Sequence, residues 1–158
     1  MESQFRTYFS VLEELSSVLD RLAPLAVQKA EAARAGDLPA MDEVLKQEQA
    51  LGLSLRGLEL KRQKLVPQLG LDGVPLSGLV ERCPAELRDE ARKAADALRK
   101  SYEIYRSCSN LARNTLELNL HQIDKYLENA GVDPKLAAQG YETPPTEPPQ
   151  KMKTDFRA

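Results

Sequence analysis

The feature that most constrains the fold is a series of apolar residues at alternating spacings of three and four, which occurs in three parts of the chain. The first series comprises Phe5, Tyr8, Leu12, Leu15, Leu19, Leu22 and Ala26. This spacing places one continuous apolar stripe along an α-helix, and a second helix must cover that stripe. The chain is therefore predicted to be all-α, with three long antiparallel helices packed as in a coiled coil.

The first two helices are predicted to be antiparallel neighbours because the segment between them is short. Gly36 suits the left-handed residue at a helix C-terminus, Asp37 suits the N-cap of the next helix, and Pro39 suits its first turn. Pro24 lies inside the first series, where we expect a bend in the helix. The second series puts two charged residues among its apolar ones: Met41, Val44, Glu48, Leu51, Leu55, Leu58, Arg62, Leu65 and Leu69.

The third series belongs to the longest predicted element, a helix from about Pro84 to Ala130 that ends at Gly131. A short helix over residues 75–82 is predicted to connect it to the second long helix. At 1.5 Å per residue the third helix would be about 70 Å long, against roughly 45 to 50 Å for each of the others. One of its ends must therefore overhang its partners or break.

The composition changes after Gly131 to a Pro-rich polar segment that includes TPPTEPPQ. Such a segment cannot bury enough apolar surface to order itself. Residues 1–131 are therefore predicted to form the helical bundle domain, and residues 132–158 a flexible, disordered C-terminal tail. The tail contains Tyr141 and Phe156, each of which is either a short binding anchor or an aromatic residue placed there by chance.

Several classes of function are not expected. The net charge is −2, and the charges are dispersed, which argues against nucleic acid binding. Neither a signal peptide nor a membrane-spanning segment is apparent, so we expect cytoplasmic localisation without membrane insertion. Cys83 and Cys108 lack CxxC spacing and are expected to be reduced thiols. With His121 as the single histidine and no phosphate-binding loop, we expect no catalytic site, no metal site and no cofactor.

The C-terminal half of the third helix is the candidate binding surface. Between Tyr105 and Leu127, Leu111 and Leu118 lie outside the main stripe and widen the apolar face. This face is exposed for a partner if the overhang lies at this end; alternatively, the first helix covers it and completes an ordinary core. Three asparagines near the stripe either fix the helix register or hydrogen-bond an incoming chain: Asn110, Asn114 and Asn119.

Two segments together resemble the FlgN family, the export chaperones for flagellar hook-filament junction proteins. In KQEQALGLSLRGLELKR, spaced leucines precede a Leu-Glu-x-x-Arg run at Leu58, Glu59 and Arg62. In NLARNTLELNLHQIDKYL, an asparagine precedes spaced leucines, as in the third helix of that family. The chain departs from the family at Glu48, where lysine is frequent, and at Gly52, which replaces the second leucine of a pair.

This resemblance implies a chaperone of type III secretion. It would bind the C-terminal helical segment of junction proteins, prevent their premature assembly and deliver them to the cytoplasmic domain of the export gate. The resemblance places cargo binding on the third helix, for which we expect six residues: Asn114, Leu116, Leu118, Leu120, Ile123 and Leu127. It places gate docking on a tyrosine beyond this helix, Tyr141, with Tyr126 inside the helix as the competing choice. The alternative function is a structural coiled-coil protein that self-associates without cargo.

Overall fold

The computed structural model describes residues 1–131, in which three long helices are joined by a tight turn and by a longer connection. The helices are α1 (Glu2–Ala35), α2 (Leu38–Gln68), the short α3 (Leu79–Arg82) and α4 (Arg88–Asn129). Single 3₁₀ turns precede α3 and α4, at Leu76–Gly78 and Ala85–Leu87. No strand occurs within residues 1–131. The all-α prediction is confirmed, and α4 is the predicted third helix, although it begins four residues later than expected.

The turn between α1 and α2 has the predicted capping residues. Gly36 has φ of 66° and ends α1, while the N–H of Asp37 donates to the carbonyl of Ala32 at 3.0 Å. The Asp37 carboxylate then accepts from the N–H of Ala40 at 3.1 Å and caps α2. Pro24 is exposed on α1, and the helix continues through it to Ala35. These contacts make α1 and α2 antiparallel neighbours.

One core cluster lies at the end of the bundle where the N-terminal half of α1 meets the segment between α2 and α4. Leu12 of α1 is completely buried, as are Leu79 of α3 and Leu87 in the 3₁₀ turn before α4. Leu71, which follows the glycine that ends α2, is also buried in this cluster. The short helix predicted after α2 therefore folds back over one end of the bundle.

Small side chains lie between α1 and α4. The buried residues of α4 are mostly alanines. Toward the C-terminal end of α1, Ala112 packs with Ala26 and Ala30 of α1. Alanine lets two helix backbones approach closely, because its side chain ends at Cβ. Since Phe5 packs in one cluster with Ala91 while Ala26 packs with Ala112, α1 and α4 run parallel, and α2 is antiparallel to both.

Both charged residues on the predicted α2 stripe have partners. The Lys29 Nζ atom of α1 lies 3.1 Å from Glu48, and both side chains are largely buried. Arg62 donates two hydrogen bonds to Glu59, from Nε at 2.9 Å and from Nη2 at 2.7 Å. These bonds raise the pKa of Arg62 against the opposing effect of burial, with a smaller contribution from Tyr8. The two charges are thus compatible with a helix face that meets the core.

Candidate partner-binding surface on α4

The C-terminal end of α4 extends beyond the other long helices. The side-chain amide of Asn119 donates to the carbonyl of Ala33 at 3.4 Å, close to the end of α1 at Ala35. About ten further residues of α4 follow, which corresponds to roughly 15 Å of helix. Ala112 is the last buried residue of α4. The overhang whose direction the sequence left open therefore lies at this end.

Four of the six predicted cargo residues share one face of the C-terminal part of α4. At about 100° per residue, Leu116, Leu120, Ile123 and Leu127 fall within a sector of roughly 60° that continues the direction of Ala112. Leu120 is 61% exposed and Ile123 is 47% exposed, while Leu116 and Leu127 are half-buried. We call these four residues the end stripe. It continues the packing face of α4 beyond the point where α1 stops.

Leu118 belongs to a different face. It is 60% exposed, and about 160° of helix rotation separates it from Leu120. With Ile104 and Leu111, at spacings of seven, it forms an exposed row roughly 100° away from Ala112. Sequence analysis had included Leu111 in the widened face but had missed Ile104, which the heptad spacing from Leu111 could have identified.

The polar residues of α4 are also divided between faces. Asn114 is exposed and lies about 160° from Leu116, so it does not border the end stripe. Asn119 is half-buried and bonded to α1, which supports the expectation that one of these asparagines fixes the helix register. His121 is exposed. The six predicted cargo residues therefore do not form one surface.

The cysteines and potential metal ligands of residues 1–131 are candidates for reactive chemistry. Cys83 and Cys108 are both free, and burial raises the pKa of the Cys83 thiol, with Arg88 opposing that effect. Within residues 1–131 no group of three or more His, Cys, Asp and Glu side chains is arranged to hold a metal ion. None of the helices in this part of the chain has an apolar stretch long enough to cross a bilayer.

Comparison with known proteins identifies the family of the chain. The family model described as FlgN protein matches residues 1–142, which include all of the bundle. The chain belongs to the FlgN family. FlgN proteins are flagellar export chaperones, so the general role of this chain is to bind flagellar cargo proteins. No curated protein and no solved structure matches the chain.

The FlgN match also covers Tyr141, the residue predicted to dock at the export gate. Tyr141 and the predicted tail, residues 132–158, lie outside the described residues. The competing Tyr126 is 74% exposed near the end of α4.

Proposed function

We propose that this FlgN protein is a cytoplasmic chaperone of type III export. It binds the C-terminal helical segment of hook-filament junction proteins and keeps that segment from assembling too early. The observation that carries this proposal is the end stripe, an apolar face that continues the core of the bundle beyond the end of α1. Exposed apolar surface of this kind is typical of a partner site.

The end stripe suits a helical cargo segment. A helix that later packs against copies of itself has an apolar stripe, and a chaperone can cover it with an equivalent stripe. A cargo helix beside Leu120 and Ile123 would continue the course of α1 along α4 and bury their exposed parts. One helix covers only a narrow sector, so Leu118 and Asn114 would contribute only if the cargo supplied a second helix.

We assign a separate task to the tail. In this proposal residues 1–131 hold the cargo, and residues 132–158 carry Tyr141, which docks at the cytoplasmic domain of the export gate. A tyrosine combines a large apolar ring with a hydroxyl group that forms hydrogen bonds, which suits a single anchor in a pocket. Separate surfaces allow the gate to bind the chaperone before the cargo is released.

Calorimetry with two forms of a junction protein tests the cargo proposal. The full-length form is expected to bind, and a form that lacks the C-terminal helical segment is expected to lose binding. A third titration, with the isolated C-terminal segment, should reproduce most of the affinity of the full-length form. Equal affinity for the full-length and truncated forms would refute the proposal, as would no binding of either form.

A further inference from the structure

A second exposed apolar row runs along the outer side of α2. Leu38, Leu45, Leu53 and Leu60 are 78%, 41%, 69% and 53% exposed. At about 100° per residue they fall within a sector of roughly 80°, whose centre lies about 160° from the residues that α2 directs into the core. We call these four leucines the outer row. Neither α1 nor α4 covers it.

The spacing of the outer row is symmetrical. Its leucines are separated by seven, eight and seven positions, so that Gln49 lies at the centre. If two copies of α2 pack antiparallel with a two-fold axis at Gln49, Leu38 of one copy faces Leu60 of the other. Leu45 likewise faces Leu53. In a parallel pair each leucine would face its own equivalent, and the symmetry about Gln49 would have no consequence.

One pair of opposite charges along the row follows the same symmetry. Asp42 and Arg56 lie on the same side of the helix as the leucines and are equidistant from Gln49, and Asp42 also pairs with Lys46 of its own helix at 3.0 Å. An antiparallel pair therefore places Asp42 of one copy opposite Arg56 of the other, whereas a parallel pair would place like charges opposite each other. This complementarity favours a second copy of the chain over an unrelated helix as the occupant.

Two glycines provide space beside the row. Gly52 and Gly57 lie inside α2, and nothing within 4 Å would meet a Cβ atom at either position. Glycine inside a helix lowers its stability, so neither residue is explained by packing within the chain. A second helix along the outer row therefore meets no side chain at these two positions.

We propose that the outer row of α2 joins two copies of the chain into an antiparallel, two-fold symmetric dimer. The contact from Leu38 to Leu60 extends over roughly 33 Å of helix. The end stripe lies on a different helix and does not take part, so each copy retains its own cargo surface. The dimer is independent of the identity of the cargo.

Sedimentation equilibrium of the full chain over a range of concentrations tests this dimer. The wild-type mass is expected to rise from 17.6 kDa to twice that value. Leu53→Glu should raise the dimer Kd by at least about 100-fold, because the symmetry repeats each substitution on both sides of the interface. Leu118→Glu, at a similarly exposed leucine of α4, should dimerise like the wild type.

Two results would overturn the proposal: a wild-type chain that keeps the monomer mass at about 100 μM, and a Leu53→Glu chain that dimerises as strongly as the wild type. Helical content measured by circular dichroism should be equal in all three proteins, since both leucines are exposed. A monomeric wild type in which Leu53→Glu abolishes cargo binding would assign the outer row to cargo instead.

Disulfide cross-linking tests the orientation. Gln49→Cys lies on the proposed two-fold axis and should form a covalent dimer on mild oxidation, whereas the wild type should not. Ser54→Cys is an exposed control about 140° from the centre of the row. It should run as a monomer in non-reducing denaturing gel electrophoresis. Gln49→Cys meets its own equivalent in a parallel pair as well, whereas Leu38→Cys meets its equivalent only in a parallel pair. Cross-linking of Leu38→Cys would therefore refute the antiparallel arrangement.

Discussion

Replacing Leu120 and Ile123 by alanine is expected to weaken cargo binding while the bundle stays folded. Leu120 is 61% exposed and Ile123 is 47% exposed, so these fractions of each side chain remain available for burial by cargo. Complete burial of such a side chain contributes about 1.5 to 3 kcal/mol. Scaled by the exposed fractions, the double substitution removes about 2 to 3 kcal/mol of binding free energy, or roughly 30- to 150-fold in Kd.

The same substitutions should hardly affect the stability of the free protein. About half or more of each side chain is already exposed to water, and alanine favours the helix. We expect the midpoint of thermal unfolding to change by less than about 5 °C. The assays are calorimetry with the C-terminal segment of a junction protein and thermal unfolding followed by circular dichroism.

Leu118→Ala is the matched control. It removes the same side chain at nearly the same exposure and only two positions from Leu120, but from another face of α4. Its Kd for the cargo segment should stay within about threefold of the wild-type value, which corresponds to less than about 1 kcal/mol of binding free energy. An equal loss of affinity in Leu118→Ala and Leu120→Ala would refute the assignment of the end stripe, as would an unchanged Kd in the double variant.

Three further predictions concern the core, an ion pair and the tail. Leu12→Ala removes a completely buried side chain and should lower the free energy of unfolding by about 3 to 5 kcal/mol in urea denaturation, so a loss below about 1 kcal/mol would contradict the described core. Glu48→Gln leaves Lys29 without its carboxylate and should lower the free energy of unfolding by about 1 to 2 kcal/mol. A double-mutant cycle with Lys29→Met should then give a coupling energy of about 1 kcal/mol, and additive effects would show that the pair contributes nothing. Tyr141→Ala should leave cargo affinity unchanged and weaken binding to the cytoplasmic domain of the gate by about tenfold in calorimetry, and an unchanged gate affinity would remove Tyr141 from the proposal.

The outer row of α2 shows where the sequence interpretation was incomplete. The α2 stripe through Val44, Leu51 and Leu58 was correctly assigned to the core. The leucines on the opposite side were not assigned to an interface, although their symmetrical spacing about Gln49 is visible in the sequence. A helix with two apolar faces has two candidate interfaces, and only the positions of its neighbours tell which face is buried.

The sequence by itself determined the three long helices, their order and most of their ends. The capping residues Gly36 and Asp37 and the apolar spacing of three and four act through contacts within about one or two turns of helix, so they can be recognised locally. The same local signals correctly predicted that α4 is the longest helix and that it ends at Gly131.

Only the tertiary structure decided which part of α4 is covered. That outcome depends on the axial register between α1 and α4, which is set by contacts between residues far apart in the chain, such as Asn119 and Ala33, 86 positions apart. Leu116 and Leu120 have the same helical spacing as the buried residues before them, so their periodicity cannot reveal that α1 ends beside them. Burial depends on what lies opposite a side chain, and for α4 this is set by the packing of Ala112 against Ala26 and Ala30.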